Sequence, residues 1–385
     1  MMMLGDVSPE LAEMRSAVRR FVDAELPAWA EEVDRTGRFP HGLLQALARQ
    51  GYLGMRIAEQ HGGPGMSLAQ YCLVQEELSR CHPVFTVLVA STSGLAPMAI
   101  QRHGTPSQKR KYLPALARGE LRTSFALTEP EAGSDASAIR TRATKADGGW
   151  QLQGRKHFIS GADEAGVLLV LAVTDQQKRA KGGISAFLVD RGAPGFKITR
   201  VDTTMGSAAW TLAELEFDDC FVSSEALLGE PGGGFALAME SLNEGRLSVA
   251  ATCLGAAGRL LEMSVDHARN RRTFGAPLAD RQAIQWMLAD SATEIAAARS
   301  LVSSTLHAFG AGQDIGPRAS MCKLYCSEIA GRIADRAVQI HGGVGVVRGF
   351  PIERFFRDLR LFRVGEGSSE VQRMVIARHL LEDLQ

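Results

Sequence analysis

The chain has 385 residues, 45% of them hydrophobic and 22% charged, with 43 Lys plus Arg against 43 Asp plus Glu. That is the make-up of a globular protein long enough for two or three domains, and a formal net charge of zero argues against a nucleic-acid binder, which carries a basic surplus. The 40 glycines beside 6% aromatic residues fit tight turns and close backbone approaches.

The start, Met1 to Leu4, passes quickly to Asp6 and Glu10 and has neither the apolar stretch of a signal peptide nor a basic amphipathic presequence. The densest apolar run, Val167 to Val173, is far short of the ~20 residues a bilayer needs. No membrane span and a cytoplasmic location are therefore expected. The end, Glu382-Asp383-Leu384-Gln385, matches no common address or lipid tag.

Up to about residue 120 the period is helical. Ser8 is a candidate N-cap with Pro9 at the first helical position, and Leu11, Met14, Val18, Phe21 and Val22 form one stripe. Leu43, Leu44 and Leu47 mark a second helix ending near Gly51, and Ser67 opens a third. Thr105-Pro106-Ser107-Gln108 has the form of a capping box.

From about 121 to 228 the pattern is extended: 123–128, 139–144, 150–160, 167–174, 184–190, 196–201 and 213–217 read as strands, with a hairpin signal at Asp147-Gly148-Gly149. Short strands with turns between them suggest a barrel or sandwich. After the glycine-rich Gly229 to Gly234, long helices are expected over 235–272, with Gly255 and Gly258 as close-packing points, then over 280–309, 319–340 and 366–381. Long helices with short connections read as an antiparallel bundle. The expected domains are 1–120, 121–230 and 231–385.

Many motifs are missing. The six cysteines form no C-x-x-C pair and read as small buried hydrophobes in a reducing compartment, and the nine histidines show no metal-ligand spacing. There is no P-loop, no G-x-G-x-x-G between a strand and a helix, and no G-x-S-x-G elbow. A serine hydrolase, a kinase and a nicotinamide Rossmann enzyme are poorly supported, and no metal is expected.

The most informative segment is Ser124-Phe-Ala-Leu-Thr-Glu-Pro-Glu-Ala-Gly-Ser-Asp135, a strand running into a polar turn that offers hydroxyls and N–H groups. By itself it also reads as a capped loop. It resembles the flavin-contacting signature of the acyl-CoA dehydrogenase family. So do four further segments in order: Trp150 to Gly161; Arg271-Arg-Thr-Phe-Gly275 with Gln282; Gln339-Ile-His-Gly-Gly343 followed by Arg357-Asp358; and Glu366-Gly-Ser-Ser-Glu-Val-Gln-Arg373. The similarity is collinear along the chain.

The resemblance implies an α+β multidomain fold: an N-terminal all-α domain, a central β-barrel and a C-terminal four-helix bundle. It implies FAD as cofactor, an acyl-CoA substrate, electron-transferring flavoprotein as partner, and a homotetramer (a dimer of dimers) or a dimer. It places Phe125, Leu127, Thr128, Gly133 and Ser134 in the flavin strand and turn, and Phe158 and Ser160 on the second flavin strand. Arg271, Phe274 and Gln282 reach FAD across a subunit interface; Gln339, Gly342 and Gly343 form the diphosphate loop; Ser368 and Glu370 also touch FAD. Glu366 is the catalytic base. Ser134, Asn243, Arg246, Gly365 and Gly367 meet the substrate, although Arg246 taken alone reads as an exposed helix arginine.

Family members that place the base on the long helix would have it at position 245, which here is glycine. Glu244, one residue away, is about 100° round the helix and should point elsewhere. Burial among Phe362, Val364 and Val371 would raise the Glu366 pKa, and the helix that follows would lower it. Gly245 and Gly365 together would leave room for a branched or ring-bearing acyl group. Glu131 departs from the glycine usual in the flavin turn. The expected reaction is α,β-dehydrogenation of a short, branched or alicyclic acyl-CoA. The alternatives are a flavin oxidase or monooxygenase, an enoyl-CoA reductase, or a non-enzymatic member.

Overall fold

The structure is a computed structural model and describes residues 8–382; the segments 1–7 and 383–385 examined above for targeting signals lie outside it. The first helix, α1 (Pro9–Thr36), starts where the Ser8 hydroxyl accepts from the Leu11 N–H and ends at Gly37, whose φ of 66° only glycine adopts freely. Its buried stripe includes Val18, Phe21 and Val22. Then come α2 (His41–Arg49) and α3 (Leu68–Cys81), the latter opened by a reciprocal cap between Ser67 and Gln70. The expected cap between Thr105 and Gln108 opens α6 (Pro106–Ala117).

Between them lie α4 (Val84–Ser93) and α5 (Leu95–His103), which the helical reading passed over. Val84–His103 has a mean hydropathy of 1.5 and by length and composition is apolar enough to cross a membrane. Among the described residues it is this stretch, rather than the denser but shorter Val167 to Val173, that is long and apolar enough to span. In the fold it breaks at Gly94 and is mostly buried, as core helices are.

The sheet comprises β1 (Thr123–Ala126), β2 (Arg142–Ala146), β3 (Gly149–Ser160), β4 (Val167–Val173), β5 (Ile184–Asp190), β6 (Phe196–Thr203), β7 (Thr211–Ser223) and β8 (Leu227–Leu228). Its order is β6-β7-β3-β2-β4-β5-β8, with β1 parallel to β4. Every residue of β4 is buried because both faces of the strand are covered. Val167, Leu169, Leu171 and Val173 enter a core shared with α5 and α6, while Leu168, Val170 and Ala172 enter the core on the opposite face.

Beyond the sheet run α7 (Gly234–Asn270), a small hairpin of β9 (Arg272–Thr273) and β10 (Ala276–Pro277), then α8 (Gln282–Gly310), α9 (Gly316–His341), α10 (Pro351–Phe362) and α11 (Ser369–Glu382). The helix expected over 366–381 begins only at Ser369. At 1.5 Å per residue, the 37-residue α7 is about 55 Å long and is the spine of the molecule. The largest core joins α1 to α4 with α7 to α10, so the two helical parts of the chain pack as one body.

Gly255 allows that packing: a Cβ there would overlap the Glu76 carbonyl of α3. Gly258, the other expected contact, has only Arg80 Nη1 at 3.9 Å and is not a close-packing point. The Arg357-Asp358 pair clamps the sheet domain to the bundle. Arg357 donates to the Met205 and Gly206 carbonyls (2.9 and 3.0 Å), and Asp358 Oδ1 accepts from the Ser207 N–H at 2.7 Å. Behind it, buried His82 lies 3.0 Å from Asp34 and 3.5 Å from Asp358, tying α1 to the same junction.

Because α3 has no room to move off α7 without opening the core, Gly255→Ala is expected to destabilise by about 1–3 kcal/mol, the usual cost of overpacking. Chemical denaturation reads this as a lower midpoint; an unchanged midpoint would show that the α3–α7 contact yields freely.

Candidate active site

Glu366 sits in the turn between α10 and α11 with φ at +54°, a left-handed conformation costing a residue other than glycine roughly 1–2 kcal/mol. Gly367 follows at +91°. The strained turn is held from two sides. Lys323 Nζ of α9 donates to the Gly367 carbonyl at 2.7 Å. Gln372 Nε2 of α11 donates to the same carbonyl at 2.9 Å and to that of Glu366 at 3.2 Å.

The turn throws the Glu366 side chain inward onto α7. Its Oε2 is sealed from solvent and has no hydrogen-bond partner among the described residues. It lies against Gly245: a Cβ at that position would collide with Oε2, and would stand 2.8 Å from Leu95 Cδ2 and 3.1 Å from Glu366 Cδ. The expected void at Gly245 is thus filled by the carboxyl group itself. Gly365, by contrast, is open, with only the Leu361 carbonyl, at 3.7 Å, near a built Cβ.

Burial pushes the Glu366 carboxyl up to about 7, and the charges of Lys323 and Arg246 pull it partly back. The expected effect of burial is thus the largest one acting on it. The apolar cover differs from the expectation, however: Phe362 is buried but Val364 is 60% exposed, and the covering groups come from α5 and α7. The Glu366 backbone N–H finds no acceptor among the described residues, leaving a hydrogen-bond donor next to a proton acceptor.

Arg246 is not the exposed arginine that its helix position alone suggests. It is buried, donates to Asn243 Oδ1 at 2.9 Å and Ser320 Oγ at 3.3 Å, and its Nε has no partner. Glu244 does point elsewhere, into an ion pair with Arg56 at 2.5 Å and another with Arg102. Tyr71 of α3 lies close enough for the Glu366 charge to add to the burial that raises the Tyr71 pKa.

A second group of residues gathers at the ends of β1 and β3. Ser124 Oγ donates to the Ser160 carbonyl at 2.8 Å, the buried Lys156 ammonium to the Leu127 carbonyl at 2.9 Å, and the His157 N–H to the Thr128 carbonyl at 2.9 Å. The register between β3 and β7 slips between Lys156 and Ile159, and at this bulge Phe158 takes φ +57°. Its ring is 55% exposed and stacks on His157 at 3.8 Å. Phe125, Leu127, Thr128, Phe158 and Ser160 therefore share one corner, where Trp210 Nε1 also donates to Ser160 Oγ at 3.2 Å. Gly133 and Ser134 are exposed in the turn beyond, and Glu131 pairs with Arg140 at the surface.

A third group lies at the far end of the bundle. Arg271 caps α7, Phe274 is 99% exposed at the hairpin tip with φ +50°, and Gln282 starts α8. His267 stacks on His341 at 4.4 Å, which puts Gln339, Gly342 and Gly343 at the same end. Arg271 is 26 residues along α7 from Gly245, about 39 Å at 1.5 Å per residue, so one chain does not bring this group to Glu366. Ser368, whose hydroxyl accepts from the Val371 N–H, and exposed Glu370 stay beside the Glu366 turn.

Lys323, Gln372, Tyr71 and Leu95 escaped the sequence reading. Lys323 had a signal: it falls on the buried stripe of α9 with Ala319, Cys322, Cys326 and Ala330. The six cysteines are free, five of them buried, and among the described residues no cluster suits a metal.

Three family models match the chain: the acyl-CoA dehydrogenase N-terminal domain over 8–120, the middle domain over 124–220 and the C-terminal domain over 232–381. The chain is 41% identical to acryloyl-CoA reductase (NADH) of Anaerotignum propionicum, covering 96% of this chain and 94% of that one. It is 37% identical to the caffeyl-CoA reductase-Etf complex subunit CarC of Acetobacterium woodii, over 96% and 97% of the two chains. The solved butyryl-CoA dehydrogenase of Megasphaera elsdenii superposes with a TM-score of 0.93 at 35% identity, over 98% of this chain and all of that one.

The pKa of Glu366 is raised above its unfolded-state value, so the stability it contributes is complete below about 4.5 and is lost as pH rises through about 7. Glu366→Gln, which never ionises, is expected to gain melting temperature relative to the native protein between pH 5 and pH 8. A constant difference across that range would mean that the carboxyl is not buried.

Proposed function

This chain belongs to the acyl-CoA dehydrogenase family, an oxidoreductase family that binds FAD, and we propose that it interconverts a short-chain acyl-CoA thioester and its 2-enoyl-CoA with Glu366 as the proton-transfer group. The observation that carries this reading is a sealed, unpartnered carboxyl oxygen with its pKa near 7, beside an unused backbone N–H.

The α hydrogen of a thioester is too weak an acid to ionise in water. In dehydrogenation, the Glu366 carboxylate takes it as a proton, the Cα–H electrons become the new C=C bond, and the β hydrogen departs with its own electron pair. FAD, when bound, supplies the acceptor for that hydride. In the reductive direction the same carboxyl returns the proton. A pKa near the working pH serves both directions, because each protonation state is well populated. The free N–H of Glu366 serves as the donor to the thioester oxygen, stabilising the enolate that develops; in a buried site such a donor is worth far more than in water. Arg246, held by Asn243 and Ser320, carries the positive charge on the wall of the same pocket.

The corner of β1 and β3 fits the cofactor. It presents a half-exposed aromatic ring at a bulge, and the hydroxyl of Thr128 has no partner among the described residues. We place the flavin ring against Phe125, Leu127, Thr128, Phe158 and Ser160, with Gly133 and Ser134 in the turn beyond. Arg271, Phe274, Gln282, Gln339, Gly342 and Gly343 would then serve the cofactor of a second copy, because a span of about 39 Å separates them from their own Glu366. This is the basis for proposing a homodimer or a dimer of dimers.

Since Glu366 occupies the room over Gly245, space for a branched or alicyclic acyl group rests on Gly365 alone. The likeness to acryloyl-CoA reductase (NADH) and to a caffeyl-CoA reductase-Etf subunit supports the reductive direction as the second reading, and electron-transferring flavoprotein as the partner.

Anaerobic titration with butyryl-, isobutyryl-, isovaleryl- and cyclohexanecarbonyl-CoA is expected to bleach the flavin, faster as pH rises through about 7. Glu366→Gln should bind the same thioesters and lose bleaching by roughly 10²–10⁴-fold or more; near-native bleaching would place the base elsewhere. Phe274→Asp is expected to shrink the assembly in sedimentation and release FAD together. A variant that keeps both would refute the shared site.

A further inference from the structure

The chain has two fully buried lysines, and they are held differently. Lys156 has a carboxylate partner, Glu129, at 2.8 Å. Lys323 has no carboxylate within ion-pair distance among the described residues, and its one hydrogen bond goes to the Gly367 carbonyl. An ammonium buried without a counter-ion is costly, so its place against this particular turn needs a reason.

We infer that Lys323 is a positioning residue of the active site: its ammonium group pins the left-handed Glu366–Gly367 turn from below and supplies a positive charge that keeps the Glu366 carboxyl available as a base. The inference rests on the reading of Glu366 as the proton-transfer group. The geometry behind it is specific. Lys323 and Gln372 together occupy both lone pairs of the Gly367 carbonyl. The ends of the turn are tied separately, by the Ser369 N–H to the Arg363 carbonyl at 3.1 Å and by Glu328 to both residues, but Lys323 and Gln372 are what hold its centre, and relaxation there would swing the carboxyl off Gly245.

The charged groups that act on Glu366 are Lys323 of α9 and Arg246 of α7, while Tyr71 of α3 lies near enough for the Glu366 charge to raise its own pKa. Leu95 of α5, which lies with the carboxyl over Gly245, is apolar. Lys323 in turn faces Cys253 and Arg246 of α7 and Glu328 on its own helix. Burial pulls the lysine down to about 8, so it is still mainly charged at neutral pH. Arg246 pulls the Glu366 pKa in the same direction as Lys323, but it makes no hydrogen bond to the turn. Lys323 alone combines charge and grip.

The test compares holoenzymes carrying Lys323→Met and Lys323→Arg with the native protein. The first readout is the infrared carboxyl band of Glu366, identified by its loss in Glu366→Gln and titrated without substrate. The second is the pH dependence of flavin reduction by butyryl-CoA. Lys323→Met is expected to raise the Glu366 midpoint by about one pH unit or more and to slow reduction at pH 7 about tenfold, with partial recovery at pH 9. Lys323→Arg should hold the midpoint within a few tenths of a unit. If Lys323→Met does not fold, Lys323→Gln, which also lacks the charge, is read in the same way. An unmoved midpoint in a folded, yellow uncharged variant overturns the inference, even if reduction slows equally at every pH. If the midpoint moves but no acyl-CoA reduces the native enzyme, the reaction assigned above fails while the role of Lys323 stands.

Discussion

The site depends on holding one carboxyl group with an oxygen that water cannot reach. Glu366 pays for that place with a left-handed backbone and a desolvated oxygen. Both costs are tolerable only because the surroundings are rigid. The long helix α7 presents a glycine under the carboxyl, α5 closes the side with Leu95, and Lys323 and Gln372 grip the turn. Remove the glycine and the carboxyl has no seat; loosen the turn and it has no reason to stay.

The same logic extends through the fold. The position of α7 is set by α3, which approaches so closely that only glycine fits at 255. Residues from both ends of the chain share the resulting core. The junction of His82, Asp34 and Asp358 then locks the sheet domain onto that body through the loop 205–207. The corner with Phe158 and the pocket with Glu366 belong to different parts of the chain, and this clamp, together with the core that β4 and β5 share with α5, α6 and α7, fixes one relative to the other. The Arg357-Asp358 pair is thus structural: Arg357 bonds the loop carbonyls and Glu353 of its own helix, and Asp358 bonds the loop and faces His82.

The residues of the resemblance fall into three places: the corner of β1 and β3, and two ends of the bundle. The Glu366 turn and α7 near Gly245 form one end of the bundle, and the hairpin with Phe274 and the end of α9 form the other. Phe274, 99% exposed at a hairpin tip, and Trp286, 61% exposed, stand at the surface of the second of these ends.

Much of this was legible in the residue order. Helix starts were visible because caps are local: Ser8, Ser67 and Thr105 each satisfy an N–H group three residues on. Strands showed by their period, and the ordered motifs from Ser124 to Arg373 were enough to point to the family. What stayed hidden depends on groups distant in the chain. The helix at 84–103 looks like any apolar run until its Gly94 break and its burial are seen. The β3 bulge that exposes Phe158 exists only as a register slip against β7. Arg246 and Lys323 are buried by neighbours from other helices, and Glu366 sits against Gly245, 121 residues earlier in the chain. Periodicity, caps and motifs act over a few residues, and so the sequence by itself determined the elements and the family. Desolvation and steric fit are set by whatever atoms arrive from elsewhere, and so only the tertiary structure decided the proton affinity of Glu366 and which lysine stands guard over it.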